Sequence, residues 1–435
     1  MSKAGLALLI LVSVAVLSPA AAQDDESKIK LKELSKGIEN FSLSILFRSL
    51  LNSGDTNLLM SPFSVWSMIA ALSQGANSIT KAEMLGALGY NPARKYKDPV
   101  EAFSQLSPYF LANTSTVELE SINSIFYGKD IMVNRNFIQK VQSIFRTKLT
   151  SIDFSAPSAV STVNNAIYQA TRGKIEEIVN ADDMKDSVMI LTNAIFFKGQ
   201  WTRPFNSSET TTAPFFDEQN REVGKVRMMF QRSPLPYANM QNFKSHVVEL
   251  PYGQASCKSY VDDPSTCPHS TNPTGNKEEN RLSMVVILPH RGVPLAEVIR
   301  SGISVASIFA ALKQAAEEYE DDEVDIYLPR FKVTSSLILN KVLNEMGVHE
   351  VFDPSYADLS NMSSTRNLHL SRVIHKATIE VTEEGAVASA VAAGQLSDKT
   401  TPTQFKANRP FIYLIIEKAT NVILFGGSYV TPSIF

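Results

Sequence analysis

Glu383-Glu384-Gly385-Ala386-Val387-Ala388-Ser389-Ala390-Val391-Ala392-Ala393-Gly394 is followed by Gln395-Leu396-Ser397-Asp398-Lys399-Thr400-Thr401-Pro402. Positions 386, 388, 390, 392 and 394 hold Ala, Ala, Ala, Ala and Gly, with Val, Ser, Val and Ala between them. Period two is the strand period. A strand with one face of very small side chains can enter between two existing strands over a packed core. Larger groups on that face would overpack it, at roughly 1–3 kcal/mol each. Ala and Gly are nevertheless poor strand formers, and the flanking residues have loop composition. The segment can be a strand without being committed to one. On composition alone, a flexible Ala/Gly linker is an equal reading.

The surrounding sequence supplies a sheet for such a strand. Downstream, Pro410 to Glu417 and Asn421 to Tyr429 are apolar runs joined by Lys418-Ala419-Thr420. They predict a hairpin buried on both faces. Upstream, Val188 to Phe197 and Arg281 to Pro289 read as buried strands. Val324, Ile326 and Leu328 alternate with Asp325, Tyr327 and Pro329. The N-terminal half reads mainly as helix. Leu31 to Leu50 has apolar residues at three- and four-residue spacing. Ser61 caps a helix that opens at Pro62. Thr80 and Glu83 have capping-box spacing, and Gly89 closes that helix. Helices first and long buried strands later predict an α+β architecture. No repeat or Pro/Gly-rich linker divides residues 23–435, so they read as a single domain.

Composition narrows the function. Lys and Arg number 41 against 44 Asp and Glu, a formal net charge of -3. That excludes a broadly basic nucleic-acid binder. Two cysteines exclude both a disulfide-framed scaffold and a four-cysteine zinc site, and no cofactor or metal is expected. Lys3, the apolar run Gly5 to Leu17 and Ala20-Ala21-Ala22 make residues 1–22 a secretory signal. The run is short for an uncleaved anchor, and no other stretch is long enough to predict a membrane span. The expected product is secreted. Asn40, Asn113, Asn206 and Asn361 begin glycosylation sequons, with Asn113 and Asn206 favoured by their Ser/Thr surroundings. The polar segment 253–280 reads as an inserted loop. It carries Cys257 and Cys267, expected to form a disulfide contributing on the order of 2–3 kcal/mol to ordering that loop. Metal binding with His269 is the lesser reading, because no fourth ligand is evident. The acidic run Glu317 to Glu323 reads as a solvated helix end.

A set of motifs in fixed order resembles the serpin family across essentially the whole chain. Residues Asn57 to Ser64 are similar to the family's motif opening helix B. Thr192-Asn193-Ala194-Ile195-Phe196-Phe197-Lys198-Gly199-Gln200-Trp201 with Phe205 resembles its strongest motif. Leu328-Pro329-Arg330-Phe331, Ala357-Asp358-Leu359-Ser360, His375-Lys376-Ala377, Asn408-Arg409-Pro410-Phe411 and Phe425-Gly426-Gly427 with Pro432 also match. The segment 253–280 departs from the family pattern.

The resemblance implies helices packed on three β-sheets and an exposed reactive-centre loop over 383–407. It implies a suicide substrate, in which a protease cuts the loop and the loop then enters the main sheet. Glu383, Glu384, Gly385, Ala386, Val387, Ala388, Ser389, Ala390 and Val391 would form the hinge. The family often has Thr or Ser, then Glu, where Ala386 and Val387 stand; neither replacement blocks insertion. Counting from Gly385 and back from Asn408 places the reactive bond at Lys399–Thr400. A Lys there suits a trypsin-like serine protease; a chymotrypsin-like enzyme would cut near Leu396. By resemblance, Ser61, Ser64, Asn193 and His375 line the shutter beneath the sheet, and Trp201 and Glu383 the breach at its top. No Gly-x-Ser-x-Gly elbow accompanies these serines, so no enzyme is expected. The expected partner is a protease, bound covalently by a monomer. No basic helix lies near 98–112 to support glycosaminoglycan activation. The alternative class is a non-inhibitory serpin acting as a carrier, chaperone or processed ligand.

Overall fold

The apolar runs near the C-terminus become the centre of the molecule. The computed structural model describes residues 19–90, 99–107, 116–253, 282–318, 323–384 and 402–435, with side chains from Ser35 onward. In chain order the elements are α1 (Pro19–Asn52), β1 (Leu58–Met60), α2 (Pro62–Ser73), α3 (Ser78–Ala87), α4 (Pro99–Leu106), β2 (Val117–Gly128), α5 (Arg135–Ser143) and β3 (Lys148–Ile152). There follow α6 (Ala159–Ala170), α7 (Ala181–Met184), β4 (Met189–Gly199), β5 (Thr211–Phe216), β6 (Glu222–Ser233), β7 (Tyr237–Met240), β8 (Ser245–Pro251) and β9 (Leu282–Pro289). Last come α8 (Leu295–Arg300), α9 (Val305–Glu318), β10 (Val324–Ile338), α10 (Asn340–Glu345), β11 (Arg372–Val381), β12 (Thr403–Lys406), β13 (Phe411–Glu417) and β14 (Val422–Tyr429).

Every residue of β13 and β14 is buried, as continuous apolar strands require. They sit inside a six-stranded sheet ordered β1-β14-β13-β9-β8-β7. Gly427 lets β1 lie close against β14: a Cβ there would stand 2.0 Å from the Leu58 carbonyl oxygen. The second sheet has eight strands, ordered β3-β2-β4-β11-β10-β6-β5, with β12 on β10. The three expected sheets are present, two of them joined end to end into this eight-stranded one. The reason is β10, which pairs with β11 over Phe331–Ile338 and with β6 over Val324–Arg330, so one strand runs through both lobes.

Helix α2 is buried on all sides. Ser61 caps it by accepting the Ser64 amide at 3.3 Å, and Pro62 occupies its first turn. It lies between the two sheets, within the main core. A second apolar cluster, with Phe126, Ile190, Ala194 and Ile374, covers the opposite face of the eight-stranded sheet beneath α6.

Two local details depart from expectation. The first half of the chain is mainly helical, as expected, but it also contributes β2 and β3, which were not expected. Thr80 does not cap α3, which starts earlier after Asn77. Thr80 instead donates to Glu350 Oε2 at 2.8 Å and accepts the Asp358 amide. Glu83 accepts the amides of His349 and Glu350 at 2.8 and 2.9 Å. Both members of the box pattern are engaged in tertiary bonds.

Candidate functional site

Strands β4 and β11 are neighbours and run parallel, from Arg372↔Ile190 to Glu380↔Lys198. Their outer neighbours, β2 and β10, are antiparallel to them. Parallel pairing is slightly weaker per residue, so this seam is a weak line down the sheet.

Asn123, Asn193 and His375 stand in register across β2, β4 and β11. They join a chain of hydrogen bonds that begins and ends on the first turns of α2. The Ser61 amide donates to His375 Nε2 at 2.9 Å. That bond fixes the ring as the neutral Nδ1–H tautomer, because an amide N–H can only donate. Nδ1 then donates to Asn193 Oδ1 at 2.7 Å. Asn193 Nδ2 donates to Asn123 Oδ1 at 2.7 Å, and Asn123 Nδ2 to Ser67 Oγ at 2.9 Å. Ser67 Oγ closes the ring on the Ser64 carbonyl at 2.8 Å. Ser61 Oγ also donates to Ser64 Oγ at 2.9 Å. All bonds of the ring point the same way, so each polarises the next. His375 and Asn193 are fully buried, and burial pulls the imidazole down to about 3. The bond between them crosses the seam. A strand entering between β4 and β11 has to break it.

The top of the seam is tied separately. The Trp201 indole donates to the Thr382 carbonyl at 2.8 Å and stacks on Tyr252 with centroids 4.4 Å apart. The Trp201 and Phe205 amides donate to the carbonyls of Glu384 and Glu383. Glu383 Oε1 accepts Thr210 Oγ1 at 2.8 Å, and its Oε2 pairs with Arg330 at 3.3 Å. Lys198 pairs with Glu384 at 2.7 Å. Backbone and side chains thus hold Thr382–Glu384, the residues that lead out of β11. The opposite face is strapped as well. Lys376 of β11 donates to the Glu177 carbonyl, and Asn164 of α6 bonds the backbone of Ile178 and Val179.

The structure therefore brings Ser61, Ser64, Asn193 and His375 into one ring, and Trp201 and Glu383 into one clasp. Gly385 to Val391, Lys399, Thr400, Cys257, Cys267 and Asn113 lie outside the described residues. Among the sequons, Asn40 and Asn206 are exposed, and Asn206 caps a short turn by accepting the Ser208 amide. Asn361 is exposed too, but its Nδ2 donates to the Ala76 carbonyl at 2.9 Å. Asn123, Ser67, Lys198 and Thr210 were not foreseen. For Asn123 and Ser67 no local signal exists, because strand register creates their contacts. Lys198 sat inside a quoted motif but carried no assigned role.

Comparison with known proteins adds a family. The serpin family model, described as serine protease inhibitor, matches residues 36–432. The leukocyte elastase inhibitor of Sus scrofa is 31% identical over 415 residues, covering 92% of this chain and all of that protein. The protein of the same name from Xenopus laevis is 30% identical over 410 residues, with the same coverage. Among solved structures, human thyroxine-binding globulin complexed with thyroine superposes with a TM-score of 0.77 at 25% identity, over 93% of this chain and 99% of that one. Mouse protein Z-dependent protease inhibitor gives 0.76 at 23% identity, over 94% and 100%.

Proposed function

The chain belongs to the serpin family, a family of protease inhibitors rather than enzymes. On that premise we propose that it is a secreted, single-use inhibitor that captures a trypsin-like serine protease at Lys399–Thr400. The parallel seam is the observation that carries this reading. Chain leaving β11 at Thr382 and folding back runs antiparallel to β11. Because β4 is parallel to β11, the same returning strand is antiparallel to β4 as well. One parallel ladder is then replaced by two antiparallel ones, the better-aligned kind. The small alternate residues from Ala386 to Gly394 suit a strand entering above α2.

In the proposed reaction the protease serine attacks the Lys399 carbonyl carbon. The Lys399–Thr400 bond breaks, and the Thr400 nitrogen leaves as an amine carrying the proton supplied by the protease. Lys399 remains esterified to the protease while the freed segment enters the seam. The ring through His375 and the clasp on Glu383 hold that seam shut until then. The apolar run Gly5–Leu17 and the small residues that follow it support secretion.

Relatives of the chain are named for leukocyte elastase. The reading departs from that specificity because Lys399 presents a cation, which an acid-floored pocket pairs. Incubation with trypsin-like and elastase-like proteases tests it. The expected result is an SDS-resistant complex with the trypsin-like enzyme and a separate Thr400–Phe435 fragment on the denaturing gel, both lost in Lys399→Ala. Equal trapping by Lys399→Ala, or trapping of the elastase-like enzyme alone, overturns the assignment. Cleavage without any complex would favour the carrier reading, which the likeness to thyroxine-binding globulin supports.

A further inference from the structure

We propose that Tyr237, His246, His290 and Arg409 form an acid-released latch that holds β12, the strand following the reactive bond, to the rest of the molecule. Strand β12 sits at an edge and pairs with β10 over only four residues, Thr403–Lys406. What anchors it from the other side is Arg409. Its Nε and Nη2 donate to the Pro289 carbonyl at the end of β9, at 3.1 and 2.6 Å, and Nη1 reaches the Lys406 carbonyl at 3.5 Å. The guanidinium thus bridges the last residue of β12 to the six-stranded sheet. Beside it, the rings of His246 and His290 lie with centroids 4.5 Å apart. Tyr237 OH bonds His246 Nδ1 at 2.9 Å, and the Tyr237 ring meets Phe405 of β12 edge-on at 6.5 Å. His290 Nε2 bonds Asn239 Oδ1 at 2.9 Å.

Among the described residues, no anion is bonded to the cluster to offset a new positive charge: no carboxylate pairs with Arg409, His246 or His290. Glu218, from the turn between β5 and β6, lines the small cavity shared with His290 and Arg409, but its Oε1 accepts the Leu295 amide at 2.7 Å. Lys244, whose carbonyl accepts the His290 amide, pairs with Glu297 of α8 at 2.5 Å. Arg291 donates to Asn220, and Lys406 lies over the Tyr327 ring. On α9, which packs against β7 and β8, Lys313 and Glu317 pair with each other.

Burial, then His290 and Arg409, lower His246 to about 4; burial and Arg409 lower His290 too. His246 is neutral while the latch is closed, and His290 is shifted in the same direction. Once released they titrate near the ordinary value of about 6.5. The latch is therefore intact above about pH 6.5 and weakens as pH falls toward 4, because only the released state takes up protons in that window. Linkage through His246 alone raises the opening equilibrium roughly thirty-fold at pH 5.0 and hardly at all at pH 7.4.

Hydrogen exchange of the full chain, corrected for intrinsic rates, reads this directly in the peptide spanning Thr403–Lys406. The expected result is a roughly thirty-fold loss of protection between pH 7.4 and 5.0, exceeding any change in β4 and β11. In His246→Gln/His290→Gln the excess disappears. If that variant does not fold, His246→Gln alone serves, with most of the excess lost. An equal loss in the variant overturns the latch, as does a loss matched by β4 and β11 or no loss in the unaltered protein. No protease enters the experiment, so its outcome is independent of the Lys399 test.

Discussion

Acidifying the protein from pH 7.5 to 5.0 should weaken the ring under the seam by an amount the structure sets. His375 Nε2 accepts from the Ser61 amide. A proton on Nε2 would set two donors face to face and break the ring at its crossing point. In the folded protein the imidazole is lowered to about 3 by burial; in the unfolded chain it titrates near 6.5. A depressed folded value means the unfolded chain binds the extra proton first. The stabilisation is whole above about pH 6.5 and declines as pH falls through that value toward 3. At pH 5.0, about 1.5 units below the unfolded value, the loss is about 2 kcal/mol. Urea unfolding, followed by tryptophan fluorescence at both pH values, measures it. The comparison is with His375→Gln, whose side chain stays neutral. His246 contributes to both proteins and cancels. The unaltered protein should lose about 2 kcal/mol more than the variant on acidification. An identical loss in the two would refute the buried, neutral assignment of His375.

Two further outcomes test the seam and its clasp. Ala388→Arg should turn the inhibitor into a substrate, cleaved without forming a complex, because an unpaired charge would have to enter the sheet interior; undiminished trapping would mean the segment does not insert. Trp201→Phe removes the 2.8 Å bond to the Thr382 carbonyl and trims a ring stacked on Tyr252. It should lower the unfolding free energy by about 1–2 kcal/mol, and an unchanged value would show that the indole does not hold the stem.

The legible parts of the fold were those whose burial is continuous along the chain. Strands β4, β9, β13 and β14 and helix α2 announce themselves as apolar runs, and Ser61-Pro62 marks where α2 begins. Strand β2 was missed because half of it carries Glu118, Glu120, Ser121, Asn123 and Ser124, a polarity that reads as loop. Asn123 then becomes part of the ring only through its pairing with Asn193, seventy positions away. In β10, Asp325 stands among the residues that alternate with Val324, Ile326 and Leu328, yet it is buried, with Arg232 gripping both of its oxygens at 2.6 and 3.0 Å. Ser61, Ser64, Asn193 and His375 were picked out by resemblance, since nothing local distinguishes them from ordinary core polar groups. Their closure into one ring follows from helix α2 lying across three strands in register.

The strand that merges the two lobes also sets a gauge. Glu383 is pinned to Arg330, while the Ala407 amide and the Lys406 ammonium are fixed on Tyr327. Both anchors stand on β10, three residues apart, or on the order of 10 Å. Twenty-two residues, 384–405, join them, enough to reach on the order of 75 Å when drawn out. A single scission between the anchors would therefore liberate a tether several times longer than the gap it had bridged. The part before the cut would swing from Glu383 alone, while the part after it stayed moored on Tyr327.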